Sequence, residues 1–405
     1  MSSDLWRKVR LGDIADIIMG QSPESKYYNK HGKGLPFLQG NRTFGFKYPT
    51  YDTYCTNGNK FAKPNDVLLS VRAPVGDLNI TKEHICIGRG LASLSMKNEN
   101  NDYLYYLLRA NIDKLLSQES GTVFGSINRN DISNLEVLVI DSDEKQRDVS
   151  DILSTLDDKI ELNRQTNATL EAIAQAIFKE WFIDFNYPGA TGELVDTPLG
   201  PIPKGWRVGV LGDLCNVIKG TSYMSSELAP SRTALVTLKS INRGGGFNNN
   251  GFKEYVGKYK PDQTLDEGDL VLAQTDMTQK AEVVGSPAIV ENPFEYETLV
   301  TSLDLAKCEP INEMPSSNTL YHFLERQEFK DYCLSQTNGS TVLHLRTSEI
   351  PNYEMVIPRE KLLQEFDHLI TPIRQSILEN NKQNRTLMVI RDKLIPYLMS
   401  GEFEI

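Results

Sequence analysis

Apolar positions along the chain fall into three patterns. Short runs rich in Val, Leu and Ile, bounded by Gly, Asn and Pro, predict strands: VLLSV (67–71), LASLSM (91–96), LEVLVI (135–140), LVTLKSI (235–241) and DLVLAQT (269–275). Two stretches, NDYLYYLLRANIDKLLSQ (101–118) and SNTLYHFLERQEFKDYCLSQ (317–336), keep apolar residues at helical spacing and each start at an Asn or Ser able to cap the first turn. Each predicts one helix among the strands. The third pattern is longer. Over 143–182, Val149, Leu153, Leu156, Ile160, Asn163, Asn167, Leu170, Ala174, Ile177 and Trp181 are spaced alternately four and three apart, the seam of a coiled coil. Adding 217 to each number gives Phe366, Ile370, Ile373, Ile377, Asn380, Asn384, Leu387, Arg391, Leu394 and Leu398, with Arg391 the one charged departure.

The two seams belong to a repeat of the whole chain. WRKVRLGDIADIIMGQS from Trp6 returns as WRVGVLGDLCNVIKGTS from Trp206, and NDVLLSV near Asp66 matches EGDLVLA near Asp269. SGTVFGSINRNDISNLEVLVI near Gly121 matches NGSTVLHLRTSEIPNYEMVIP near Gly339. The offset drifts from 200 to 203 to 218, which places insertions in the loops of the second copy and leaves the elements in place. The expected organisation is a globular domain over 1–142, a long helix over 143–185, a linker over 186–205, a second domain over 206–358 and a second long helix over 359–399. Strands and loops dominate each domain without a regular βαβ alternation, so the fold class is mixed α/β (α+β) rather than a Rossmann sheet.

Both seams carry two Asn at their middle. A lone buried amide costs free energy, whereas facing amides can bond to each other and fix the register, so the two helices are expected to pair. The pairing positions are Leu153, Leu156, Ile160, Asn163, Asn167 and Leu170 against Ile370, Ile373, Ile377, Asn380, Asn384 and Leu387. An antiparallel pair sets Asn163 against Asn384 and Asn167 against Asn380, but a parallel pair also matches amides, so this pattern leaves the direction open. The alternative is that each helix packs on its own domain with its Asn solvated. Length argues against it: roughly 36 residues make a rod of about 54 Å, longer than a domain of this size is wide.

Composition narrows the class. With 405 residues, 40% hydrophobic and 24% charged, the chain can fill two ordinary cores. No apolar run approaches the roughly 18 residues of a membrane span, and MSSDLWRKVRLGD has no signal-peptide apolar core. The five cysteines, Cys55, Cys86, Cys215, Cys308 and Cys333, are scattered without a CxxC pair. A soluble cytoplasmic chain with reduced thiols and no membrane partner is expected. The net charge of −11 argues against a nucleic-acid binder on average, yet residues 1–140 carry 17 basic and 14 acidic residues, whereas 206–358 carry 13 and 20. If DNA is the ligand, much of the nonspecific attraction has to come from a basic partner chain.

Catalytic signatures are missing. There is no GxxxxGK[ST] loop, no HExxH and no His/Cys cluster, and Asn292, Pro293 and Phe294 lack the second Pro of an amino-methyltransferase NPP[YF] motif and read as a turn. What remains are polar loops at repeated positions. GNRTFGFKY (40–48) offers Asn41, Arg42 and Lys47, and its counterpart KSINRGGGF (239–247) offers Lys239, Asn242 and Arg243. Ser70 and Arg72 after one strand correspond to Gln274 and Thr275 after the other. Loops 121–128 and 339–346 add Thr122, Ser126, Asn128, Ser340, His344 and Arg346. Forked Arg and Asn groups match guanine and adenine edges, while Lys suits phosphates. As single residues these are solvated loop positions; as a doubled constellation they are candidates for reading DNA.

The stretches WRKVRLGDIADIIMGQSP, AQAIFKEWFIDFNYPG followed by LGPIPKGWRVGVLGDL, and the closing LIPYLMSGEF together resemble the specificity (S) subunits of type I restriction-modification systems. The resemblance spans the chain. It implies a DNA-binding subunit, not catalytic by itself, with two target-recognition domains that each read one half of a bipartite asymmetric site, separated by two helices packed as an antiparallel coiled coil with pseudo-twofold internal repetition. It further implies two methylation subunits and restriction subunits as partners. S-adenosylmethionine, ATP and magnesium would lie on those partners, with no cofactor in this chain. A different reading of the same sequence is a coiled-coil adaptor whose twin domains bind proteins or glycans.

Overall fold

Strand Val67–Ser70 shows how the first domain is assembled. Its residues are all buried, because alternate side chains enter different cores. Val67 and Leu69 join Tyr103, Leu104 and Leu107 of the helix Asn101–Ala110, while Leu68 joins Leu38, Ala62, Ile85 and Ile87. A strand covered on both faces reads as an unbroken apolar run, as 67–71 does. The computed structural model describes residues 6–117, 125–243, 245–277, 280–312, 314–339 and 342–400. The chain divides into two compact units: residues 1–165 with 383–405, and residues 166–382. These units cut through both long helices, between residues 165 and 166 and between residues 382 and 383.

In the first unit, Trp6–Arg10 pairs antiparallel with Glu136–Ile140. A four-stranded sheet follows in the order Ala15–Met19, Leu91–Met96, Val67–Ser70 and Leu78–Ile80, all antiparallel. A second sheet carries one parallel pair, Leu35–Leu38 with Ile85–Ile87, and Phe61–Ala62 antiparallel to the latter. The second unit repeats this plan. Arg207–Val210 pairs with Glu354–Ile357, and the sheet order is Cys215–Lys219, Leu305–Pro310, Leu270–Ala273 and Pro287–Ile289. Thr233–Val236 lies parallel to Thr298–Thr301, which also pairs with Thr264–Leu265. The repeat in the sequence is thus a repeat of strand order.

Local corrections have local causes. The expected strand 235–241 ends at Val236 and turns into a 3-10 helix, Leu238–Ser240. The run 269–275 is two strands, Leu270–Ala273 and Thr275–Asp276. Helix 101–118 breaks at Asn111, whose side chain donates back to the Leu107 carbonyl (2.8 Å). Such side-chain bonding to the preceding turn competes with the helix. Helix 317–336 is likewise Ser317–Leu324 followed by Gln327–Ser335. Both starts are capped: Asn100 accepts from the Tyr103 amide (3.1 Å) and Ser316 from the Thr319 amide (3.2 Å).

The first long helix runs Asp143–Phe178 and ends in a π-turn, Lys179–Ile183; the second runs Glu360–Met399. Within the first unit, Val149 and Leu153 share a core with Ile395, Leu398 and Met399, and Ile160 is buried. Asn163 donates to Asn384 (2.8 Å). Within the second unit, Asn380 donates to Asn167 (2.8 Å), and Phe178 meets Phe366 with Ile370 in the same core. As numbers rise along one helix they fall along the other, so the segments are antiparallel in both units. Leu156, Leu170, Ile373 and Leu387 are half-buried, and Ile377 is buried. Arg391 departs from the apolar pattern because it has a buried partner beside the expected seam. Asp157, next to Leu156, accepts from it at 2.5 Å.

Candidate nucleic-acid interface

Each unit carries the same rung of backbone pairing at the end of its central strand. In the first, Arg72 bridges Ser126, and the Ile127 amide donates to the Val71 carbonyl (3.1 Å). In the second, Thr275 pairs with His344, and the Leu345 amide donates to Gln274 (2.8 Å). The strand-end positions and loop positions expected from the repeat are therefore brought together pairwise. They meet because the central strand stops where its sheet neighbour turns, leaving one backbone edge for the returning loop.

The side chains at these positions differ in what they can reach. Arg72, Ser126, Lys239 and His344 are exposed, with no side-chain partner among the described residues. Others are engaged. Asn41 donates to Asp77 (2.5 Å) and to the Pro74 carbonyl (3.2 Å). Arg42 grips both oxygens of Asp52 at 2.7 Å, and this hydrogen bonding, with help from the Thr53 hydroxyl, holds the Asp52 carboxyl below the usual carboxylate range. Asn128 caps Arg129–Ser133, accepting from the amides of Asn130 and Asp131. Asn242 closes its own loop onto Phe247 (3.0 Å), Arg243 lies 3.5 Å from Glu282, and Arg346 donates to Gln336 (2.6 Å).

Four positions lie inside. Lys47 is 2% exposed, and its ammonium donates to Asp158 on the first long helix (2.8 Å). Burial, the largest single influence, would lower that pKa, but the Asp158 bond together with the charges of Tyr48, Asp158 and Asp102 outweighs it and holds the ammonium above the usual lysine value. Ser70 donates to Pro74 (2.9 Å) and accepts from the Asp77 amide (2.8 Å), closing the turn that carries Arg72. Gln274 donates to Thr347 (2.8 Å), and Thr275 donates to Asp304 (3.1 Å). These four side chains shape the loops and do not face solvent. Thr122 and Ser340 lie outside the described residues.

A cavity of about 570 Å³ in the first unit holds residues that sequence reading passed over. Tyr28 and Phe37 stack there (centroids 4.6 Å apart), with Ser22 donating to Gln39 (2.9 Å) and the exposed Arg89 at the rim. It forms where Gly20 leaves its strand against the Gly88 carbonyl, so close that a Cβ would sit 2.1 Å from that oxygen. The GRG at 88–90 forms a turn that presents the exposed Arg89. Alignment of the Gly20 turn with the Gly220 turn is the signal that could have found it. Among the described residues no group of three or more His, Cys, Asp or Glu could hold a metal ion, and no helix is long and apolar enough to cross a membrane.

The family described as type I restriction modification DNA specificity domain matches this chain twice, over residues 3–172 and 203–385. The chain belongs to that family. Its members are the non-catalytic DNA-recognition subunits of type I restriction-modification complexes. The type I restriction enzyme MjaIX specificity subunit of Methanocaldococcus jannaschii is 28% identical, across 99% of this chain and 94% of its own. The type I restriction enzyme HindI specificity subunit of Haemophilus influenzae is 22% identical, across 98% of this chain and 99% of its own. The crystal structure of the S subunit from M. genitalium superposes with a TM-score of 0.61 at 16% identity, covering 98% of this chain and 97% of that one, a likeness of fold. As a specificity chain, the protein has two family domains, and each match contains one of its two rungs.

Proposed function

We propose that each unit of this specificity chain reads one half of a bipartite, asymmetric DNA site, and that the paired helices set the distance between the halves and dock two methylation subunits. The observation that carries the reading is the rung: one fold position, built twice, presenting Arg72 and Ser126 in one unit and His344 in the other. Matching backbone pairing with unlike exposed side chains suits two different words. Restriction subunits would join the same assembly. S-adenosylmethionine, ATP and magnesium would be held by the partners, because amino-group methylation and translocation need groups for which this chain offers no motif.

Mapping methylated adenines in host genomes with this chain present and deleted tests the reading. The expected result is a two-part motif that vanishes on deletion. Replacing Arg72 with Ala should relax one word and replacing His344 with Ala the other, each by about 1–3 kcal/mol of discrimination. Methylation that is unchanged on deletion would overturn the assignment and favour an adaptor role. The spacer is tested separately, by inserting four residues at facing positions of both helices. Each insertion adds about 6 Å, so the gap between the words should grow by about two base pairs. A seven-residue insertion in the first helix alone should instead break the pairing.

A further inference from the structure

Residues 206–358 hold 13 basic against 20 acidic side chains, so a DNA reader built from them has few cations to spend. Six of those cations are committed to ion pairs among the described residues, and Lys253 donates to Tyr223. Three that are not committed, Lys219, Lys258 and Lys260, line a single cavity of about 460 Å³. All three are exposed.

The cavity is held from behind. Gln263 donates to the Lys219 carbonyl (3.1 Å) and accepts from the Lys260 amide (3.0 Å), tying the two segments together. The buried Tyr255 hydroxyl donates to the Lys258 carbonyl (3.0 Å). The backbone under each lysine is thus fixed while the ammonium heads stay free. Asp262, exposed, is the one carboxylate of the 258–263 stretch.

The position matters as much as the charge. The cavity lies at the turn where Gly220 leaves its strand against Ser302, the counterpart of the Gly20 turn that forms the Arg89 cavity in the first unit. It is also joined to the rung. Leu303, on its wall, donates to the Thr221 carbonyl (2.7 Å). The next residue, Asp304, accepts from the Gln274 amide (2.8 Å) and the Thr275 hydroxyl (3.1 Å). The turn Ser302–Asp304 therefore connects the lysines to the strand whose end carries the Thr275–His344 pair.

We propose that the Lys219, Lys258 and Lys260 cavity is the phosphate seat of the second unit, gripping the backbone of duplex DNA next to the bases its rung reads. Three separate ammonium groups are point charges without the planar fork that reads base edges, and a phosphodiester chain offers repeated single negative charges. The inference rests on the DNA-reading assignment above and adds the residues and the ligand chemistry. It also accounts for how an acidic domain can bind DNA: three of its uncommitted cations are gathered at one site.

The test measures DNA affinity of the full chain, assembled with its methylation subunits, as a function of salt. The probes are duplexes with and without the methylated motif. With Lys219, Lys258 and Lys260 all replaced by Gln, the slope of log affinity against log salt should become shallower by about 2.7, on both duplexes alike. Replacing all three by Arg should keep the wild-type slope, which separates lost charge from lost folding. If the wild type binds and the Gln variant keeps its slope while folded, the phosphate seat is wrong and the DNA-reading assignment stands. If the wild-type assembly binds neither duplex, the assignment falls and the seat with it.

Discussion

The two units join their helix segments with different chemistry at equivalent places. In the first, Arg391 is 2% exposed and Asp157 is fully buried. Asp157 accepts from Arg391 (2.5 Å) and from the Tyr106 hydroxyl (2.8 Å), while Arg391 also donates to Asp392 and lies over the Phe46 ring. In the second, the position matching Arg391 is Ala174, buried, and the neighbouring Phe178 packs on Phe182, Phe323 and Phe366. A repeated backbone does not oblige a repeated interior. An ion pair survives in the first unit because Tyr106 and Asp392 complete its hydrogen bonding; the second unit offers rings instead and buries rings.

Breaking the ion pair should have the largest effect. Replacing Arg391 with Met strands the buried Asp157 carboxylate and should cost about 3–5 kcal/mol, read by urea unfolding. Replacing Asp157 with Leu in the same chain should recover most of that loss. A double variant no better than the single one would show that packing, not charge, dominates there. On the other side of the comparison, Phe366→Ala removes a fully buried ring and should cost about 3–5 kcal/mol. If the units unfold separately, that loss should move only the transition of the second one.

The paired amides within each unit are a finer probe. Asn163→Ala leaves Asn384 with a buried, half-satisfied side chain and should cost about 1–3 kcal/mol. Converting both to Leu should restore stability while loosening register, seen as a broadened methylation motif. The smallest expected effect is on pH. His322 is buried against Phe178 and Phe366, and neither ring nitrogen has a hydrogen bond; burial lowers its pKa below the usual value, against the pull of Glu325, with Arg374 adding to the depression. The unfolded chain then binds a proton that the folded unit refuses. Stability of the second unit should fall as pH drops below about 6.5, continuing until the folded-state pKa is passed. His322→Phe should remove that component of the slope and with it the share of His322, 3.7 Å away, in holding the Glu325 carboxyl below its usual range, a depression to which Arg374 and Gln175 also contribute against the opposing effect of burial.

Much of the site was legible because it is repeated. The alignment of Arg72 with Thr275 and of Ser126 with His344 placed the right backbone positions together, since strand ends and returning loops keep their order when the sequence drifts. Which side chains face outward was not legible. Lys47 looked like a phosphate contact among aromatics, but the nearby helix carries Asp158 and draws it inside. Lys219, Lys258 and Lys260 were passed over because Lys219 lies 39 and 41 residues from the other two in the chain and only the Gly220 turn, with Gln263 bridging, gathers them.

Periodicity and repetition, being local or self-referential, were sufficient to specify the two seams, the doubled domain and the Asn positions of the helix pair, and to place the strands without fixing all of their ends. The direction of pairing was not among them, because amides match either way; the antiparallel choice came with the cores that each unit builds from the start of one helix and the end of the other. Folding likewise decided the partner of Arg391. A charge at a seam position is a liability on paper, and it becomes a stable contact only where Asp157 and Tyr106 arrive from elements far away in sequence to desolvate and satisfy it together.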